Sequence, residues 1–315
     1  MRYIKDLAEG NKIQGIYYCK SKLSTETKNG KPYESVMLQD KTGMLDAKVW
    51  EPYSPAIHEY EAGDYIEVTG DVIMFNNARQ AKLSRIRRCR EDEYDPADYM
   101  PMTRKNIDGM YTELLGLVDS VSNPFIKRLL DAFFRDEAFA KEFKKASAAK
   151  TVHHGFIGGL LEHSLNVASL CSHMCEMYPV LNRNLLVGAA LLHDVGKVRE
   201  LSAFPENDYT DEGQLLGHII IGAQMVAEQI RQIEGFPAEL SAEIQHCILA
   251  HHGELEYGSP KKPAIIEALA LNLADNMDAK IETFTEVLEN NEKEGWLGYN
   301  KFLDSNLKRT RDYGI

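Results

Sequence analysis

Leu191-Leu192-His193-Asp194-Val195-Gly196-Lys197 ends an apolar run with a histidine and an aspartate side by side. The pair offers a metal ion an imidazole nitrogen and a carboxylate oxygen at once. His-Asp dipeptides are common by chance, so the surrounding sequence decides what this one means. Upstream, His163 shares a helical face with Leu160, Val167 and Leu170, at i−3, i+4 and i+7. Downstream, His218 opens a face continued by Ile221, Gly222 and Met225, and His251-His252 precede Gly253, a natural helix C-cap. Asp275 follows Leu271 on another apolar stretch, where an unpaired buried carboxylate is costly. These six residues on the inward faces of five predicted helices all need a partner, and one shared cation satisfies them most economically. No cysteine takes part. Mixed imidazole and carboxylate ligation suits Mn²⁺, Fe²⁺, Co²⁺, Ni²⁺ or Zn²⁺.

Working outward, the 3.6-residue period places helices near 105–121, 124–146, 158–177, 183–197, 214–233, 238–252 and 262–290. The first 90 residues read differently. Five stretches rich in β-branched and aromatic residues, near 11–20, 33–39, 44–50, 65–74 and 79–88, predict strands. Asp40-Lys41-Thr42-Gly43 supplies a hairpin turn, and Pro52 to Tyr60 predicts a short helix after the third strand. Five strands in that order predict an OB-fold barrel. Glu91 to Pro101 is acidic and contains Pro96 and Pro101, which reads as a linker. The expected organisation is therefore a multidomain chain: an all-β barrel over 1–92, a linker over 93–105 and an all-α domain over 106–315.

In the third strand Leu45, Ala47 and Val49 form the natural core face, leaving Met44, Asp46, Lys48 and Trp50 outside. An outward Trp beside a Lys suits stacking on a single strand; it equally suits packing against another protein surface. The fifth strand region carries Arg79, Lys82, Arg85, Arg87, Arg88 and Arg90. They can neutralise phosphates or guard an edge against aggregation. Lys48, Trp50, Phe75, Arg85 and Arg87 are the candidate strand contacts.

A net charge of −12 argues against a simple nucleic-acid binder, but it is unevenly spread. Residues 1–90 hold 15 Lys+Arg against 12 Asp+Glu, a net of +3; the rest hold 21 against 36, a net of −15. A basic domain on an acidic body suits a protein that grips a polyanion at one end, although acidic excess also serves solubility. Five cysteines without a Cys-x-x-Cys argue against a disulfide framework and fit a reducing cytoplasm. No run approaches the roughly 20 apolar residues that span a bilayer, and Met1 to Gly10 lacks the apolar core of a secretory signal. No membrane association is expected.

The order His163 … His193-Asp194 … His218 … His251 … Asp275 resembles the HD-domain metal-dependent phosphohydrolases. The text from His153-His154-Gly155-Phe156 through Glu162-His163-Ser164-Leu165 is similar to the YhaM family, bacterial 3′→5′ exoribonucleases with an OB-fold joined to an HD domain. The HD resemblance assigns His163, His193, Asp194 and Asp275 to one ion, with Asp194 bridging to a second completed by His218 and His251. Two ions roughly 3.5–4 Å apart suit in-line displacement at phosphorus by activated water. The YhaM resemblance implies manganese, single-stranded RNA as substrate and attack from the 3′ end; single-stranded DNA is a further candidate. Homo-oligomerisation is left open.

Other residues receive expectations from position alone. Lys197 can hold a phosphate oxygen or cap a helix C-terminus. His252 can protonate the leaving 3′-oxygen or hydrogen-bond the phosphate. His251 and His252 point about 100° apart on a helix, so only one is expected to ligate. Asp194, Lys197 and His252 are the candidate catalytic residues, and His153 and His154 are candidates for the cleft. Glu162 reads as a carboxylate behind a ligating histidine or as a solvated acid. Asp278 reads as a surface or cap residue, and His58, His173 and His246 as structural. Two rival readings remain. One is an HD-type nucleotide or cyclic-dinucleotide phosphohydrolase, although His251-His252-Gly253-Glu254 departs from the Gly-Tyr-Pro signature of the cyclic-dinucleotide branch. The other is a nucleic-acid-binding protein with a non-catalytic HD domain.

Overall fold

A computed structural model describes residues 2–311 apart from 28, 76–77, 96–97, 151–154, 290 and 292. The chain divides into two compact units, Met1–Met102 with Ala203–Glu206, and Thr103–Ser202 with Asn207–Ile315.

The first unit is built on β1 (Lys12–Glu26), β2 (Pro32–Asp40), β3 (Gly43–Val49), β4 (Tyr65–Phe75) and β5 (Ala78–Arg88). They close into a barrel in the order β1-β2-β3-β5-β4, parallel only between β3 and β5. That is the five-strand OB order expected from the sequence. Alternation in β3 works as read. Leu45, Ala47 and Val49 join Val36, Leu38, Ile66, Val68 and Ile86 in the barrel core. The hairpin turn pairs Asp40 with Gly43. Buried Asp40 accepts from the backbone N–H of Thr42 at 2.7 Å and from that of Ile4, also at 2.7 Å, which ties the N-terminal segment to the turn.

Two expectations for this unit need correction. Residues 52–60 form turns rather than a helix. Pro55 has no N–H to give a helix and biases Ser54 away from helical geometry. The segment instead exchanges backbone hydrogen bonds with β5, Ile86 N–H to the Ala56 carbonyl and His58 N–H to the Ile86 carbonyl, both at 3.0 Å. The expected linker is largely packed on the barrel. Tyr94 stacks on Tyr65 with ring centroids 3.7 Å apart, Tyr99 meets Tyr65 edge-on, and Tyr99 and Met100 are buried. The composition of that stretch concealed two aromatic anchors, and the boundary between units falls between Met102 and Thr103.

The second unit contains α1 (Ile107–Asp119), α2 (Pro124–Phe134), α3 (Glu137–Phe143), α4 (Gly159–Met177), α5 (Arg183–Leu192), α6 (Lys197–Glu200), α7 (Asp211–Gln232), α8 (Ala238–Ala250) and α9 (Ile266–Glu289). The single helix expected over 124–146 is split. Asp136 accepts from Phe139 N–H at 2.8 Å and starts α3 afresh, as an N-cap should. Every residue of α5 from Leu185 to Leu192 is buried, which makes it the central helix. It packs against α2, α4, α8 and α9, so its C-terminal end delivers His193-Asp194 to the middle of the unit. The all-α expectation also missed a hairpin, β6 (Trp296–Asn300) with β7 (Ser305–Lys308), whose strands are too short for a periodic signal.

Candidate metal centre

Four helix ends or faces and one turn bring the ligand-bearing residues together. His163 comes from α4, His193 and Asp194 from the turn after α5, His218 from α7, His251 from the residue that caps α8, and Asp275 from α9. Two glycines permit this approach. A Cβ on Gly196 would lie 2.1 Å from the His218 carbonyl oxygen. Gly217, at φ 72° and ψ 155°, kinks α7 immediately before His218.

Asp194 is the centre of the cluster and is buried. Its Oδ2 lies 3.4 Å from His163 Nε2 and 3.4 Å from His193 Nε2. Asp275 Oδ1 closes this side, 3.2 Å from His163 Nε2. The other oxygen, Oδ1, faces His218 Nε2 at 3.5 Å and His251 Nε2 at 3.6 Å. The two oxygens thus look toward two sets of ligand atoms, with His193 near both. Asp194 Oδ1, His218 Nε2 and His251 Nε2 are buried without a hydrogen-bond partner among the described residues. Three orphaned polar atoms converging within such distances are costly in a protein interior, and a cation between them removes that cost. Ligand atoms of His163, His193 and Asp275, and likewise of His193, Asp194 and His251, lie within 4.8 Å of one another. The donor set fits divalent metal ions.

The imidazoles are held from behind. His193 Nδ1 meets the Ala190 carbonyl at 2.7 Å, and His251 Nδ1 the Ile248 carbonyl at 2.6 Å. Both rings therefore donate through Nδ1 and present Nε2 as the lone-pair nitrogen. His163 Nδ1 meets Asp278 Oδ2 at 2.8 Å, and Asn166 donates to the other oxygen of Asp278 at 3.0 Å. His218 is held twice by Glu200 Oε1, which lies 2.9 Å from Nδ1 and accepts from the His218 backbone N–H at 2.8 Å.

Electrostatics follow from this crowding. Burial alone would lower the His163 pKa, but Asp194, Asp275 and Asp278 together carry it well above the usual histidine range. Burial alone would raise Asp194, yet Lys197 and then His193 hold it well below the ordinary carboxylate range. His251 is pushed well down by burial and by the neighbouring His252. Lys197 Nζ sits 2.6 Å from Asp194 Oδ2, and that carboxylate outweighs burial to raise the lysine. Three carboxylates around one imidazole make an excess of negative charge of the kind a divalent cation neutralises.

The HD domain family matches residues 160–280. A curated relative from Bacillus velezensis named 3′-5′ exoribonuclease YhaM is 34% identical over 281 residues, covering 89% of this chain and 88% of the relative. The chain belongs to the YhaM family. The YhaM relative from Bacillus subtilis is likewise 34% identical over 89% of this chain and 88% of its own length. The Listeria innocua YhaM relative is 32% identical over 90% of each. A solved structure, the second OB-fold domain of replication protein A from Methanococcus maripaludis, is 21% identical with a TM-score of 0.23, covering 29% of this chain and 95% of that domain.

Within this YhaM-family chain the structure brings together all six expected ligands. It also changes the expectation for His252. The helix ends at Ala250, and the His251 and His252 ring centroids are only 4.3 Å apart. Ligand atoms of His218, His251 and His252 lie within 4.8 Å, so the two neighbours can address one ion together. Asp278, expected at the surface, is buried behind His163. Glu200 was not anticipated at all. Among the described residues Glu162 holds no histidine; it accepts from the Thr103 hydroxyl at 2.5 Å and pairs with Lys105 at 2.9 Å. His153 and His154 lie outside the described residues.

On the barrel, Trp50 is 43% exposed and stacks on Tyr33, ring centroids 5.0 Å apart at 27°. Lys48 Nζ contacts Ser35 Oγ at 2.6 Å and Asp46 Oδ1 at 3.0 Å. Lys82, one of the six basic residues of the fifth-strand region, lies beside Lys48 across the parallel β3–β5 ladder and is exposed. Phe75 and Arg85 are exposed. Arg87 is engaged by Glu67 and Glu93, each at 2.8 Å, and Arg79 by the Ile4 and Leu7 carbonyls. Nothing local in the sequence flagged Tyr33.

Proposed function

We propose that the protein is a metal-dependent 3′→5′ exonuclease that hydrolyses the phosphodiester bonds of single-stranded RNA, with single-stranded DNA as a second substrate. The observation that carries this reading is Asp194, whose two oxygens face two sets of ligand atoms while Oδ1, His218 Nε2 and His251 Nε2 have no hydrogen-bond partner among the described residues. The names of the YhaM relatives supply the polarity and the polymer.

His163, His193, Asp194 and Asp275 would hold one divalent ion; Asp194, His218 and His251 would hold the other, with His252 beside them. Manganese is the working choice. Bound there, the ions would supply Lewis acidity and lower the pKa of a water that attacks phosphorus. Lys197 is the cation proposed to meet a phosphate oxygen, since its ammonium already reaches the cluster. His252 is proposed to protonate the leaving 3′-oxygen, or to hydrogen-bond the phosphate. On the barrel, Trp50 stacked on Tyr33 offers a face for a base, and Lys48 with Lys82 offers charge for the backbone. Phe75, Arg85 and Arg87 complete the proposed contacts, Arg87 by exchanging a carboxylate for a phosphate. Cys19, Cys89, Cys171, Cys175 and Cys247 are free thiols, and we assign the protein to the cytoplasm on that chemistry.

The test is hydrolysis of a 5′-labelled single-stranded RNA with Mn²⁺ or with EDTA, beside Asp194→Ala. The expected result is a metal-dependent ladder of shortened labelled products that the variant does not make. Intact RNA in the presence of Mn²⁺, with mononucleotides or cyclic dinucleotides cleaved instead, overturns the reading.

A further inference from the structure

Helix α9 is apolar on two opposite faces. Its inner face contributes Ala268, Leu271 and Ala274 to the core and carries Asp275 and Asp278 to the metal centre. Its outer face is a row of large apolar side chains: Ile266 45% exposed, Leu269 48%, Leu273 53%, Met277 50% and Ile281 54%. The remaining exposed positions between Ile266 and Ile281 are Asn276 and Lys280. Contiguous exposed apolar rows mark interaction surfaces.

We propose that this row is the interface with a second copy of this chain, the two α9 helices packing antiparallel about a two-fold axis at Leu273. Spacing supports self-recognition. Counted from Leu273, the row occupies −7, −4, 0, +4 and +8, which is nearly the same read in either direction. An isologous contact requires that property, because each residue meets its mirror position on the partner. Leu273 then faces Leu273 of the partner subunit, Leu269 faces Met277 of the partner subunit, and Ile266, at −7, meets Lys280 of the partner subunit at +7 with Ile281 of the partner subunit at +8 beside it.

Charge selects the same arrangement. The chain carries 48 Asp+Glu and a net charge of −12, yet the exposed positions of this row include no acidic residue. Surfaces of a strongly acidic chain repel their own copies; this one does not. Its single charge, Lys280, lies seven positions from the axis. Antiparallel pairing separates the two ammonium-bearing positions by about 21 Å along the helices at 1.5 Å per residue, well beyond the roughly 8 Å screening length of physiological salt. Parallel pairing in register would set them side by side. The antiparallel arrangement also opposes the two helix dipoles.

The test uses the full chain in two measurements. Sedimentation equilibrium at tens of micromolar should give a dimer, and Leu273→Lys a monomer with an unchanged circular dichroism spectrum. Under mild oxidation Leu273→Cys should form a disulfide-linked dimer, because the two 273 positions meet at the axis. Leu269→Cys alone should not, its two copies lying about 12 Å apart along the helices, whereas Leu269→Cys combined with Met277→Cys should. Wild type, with its own five cysteines, is the control. A monomeric wild type, a dimer indifferent to Leu273→Lys, or equal cross-linking at positions 269 and 273 overturns the proposal.

Discussion

Asp194 serves both halves of the cluster because a carboxylate has two oxygens, and its burial in the turn after α5 leaves neither to bulk water. Its neighbours are specialised by what stands behind them. Backbone carbonyls orient His193 and His251, whereas carboxylates orient His163 and His218. A carboxylate makes an imidazole a better donor to a cation, and removing such a partner typically costs 10–100-fold in metal affinity. Glu200→Gln is therefore expected to weaken one of two Mn²⁺ binding steps by roughly 10–100-fold in isothermal titration and leave the other nearly unchanged. Equal weakening of both steps would contradict separate roles for the two Asp194 oxygens. The six clustered residues were legible because each is an expensive polar group on an inward face, and the His193-Asp194 pair fixed where to look. Glu200 and Asp278 were not legible. They sit 18 and 115 residues from the histidines they hold, and a carboxylate behind a histidine leaves no spacing pattern in one sequence.

The elements were legible where their period is long and their two faces differ. β3 sorted correctly into core and outer residues, and α5 was evidently buried. Ends and breaks were not, because they depend on single residues. Asp136 interrupts a continuous apolar pattern, and Pro55 diverts a helix into a backbone ladder with β5. On the outer face of the barrel, Trp50→Ala should weaken binding of a single-stranded oligonucleotide by about 1–3 kcal/mol, the value of one base–aromatic stack. Fluorescence anisotropy in EDTA measures this, and unchanged affinity would remove Trp50 from the strand path. The 3-10 turn at Glu91–Glu93 gives a pH-dependent prediction. Arg87 and the Arg90 backbone N–H hold Glu93 at about 2, against an ordinary 4.5. A depressed carboxylate contributes stability above its unfolded pKa and loses that contribution as pH falls through its folded value. The destabilisation caused by Glu93→Gln, read from urea midpoints, should be constant above about pH 5 and shrink toward zero as pH falls from 4.5 to 2. A difference that persists at the acid end would show that Glu93 acts by packing rather than by charge.

For the whole molecule, the division between a β unit and a helical unit was evident from hydrophobic period alone, whereas the uneven charge, +3 over residues 1–90 against −15 over the rest, left a polyanion-gripping unit and simple solubility equally open. The exact junction was hidden because Tyr94 and Tyr99 turn an acidic, proline-containing stretch into part of the barrel unit. No described helix is long and apolar enough to cross a membrane. The proposed sharing of Asp194 by two divalent ions is tested most directly by the metal content of the chain after equilibrium dialysis against Mn²⁺, for wild type and for Asp194→Asn. Two ions per chain in the wild type, with binding at both positions lost or severely weakened in the variant, is the predicted result. One ion per wild-type chain, or two retained by Asp194→Asn, would contradict it.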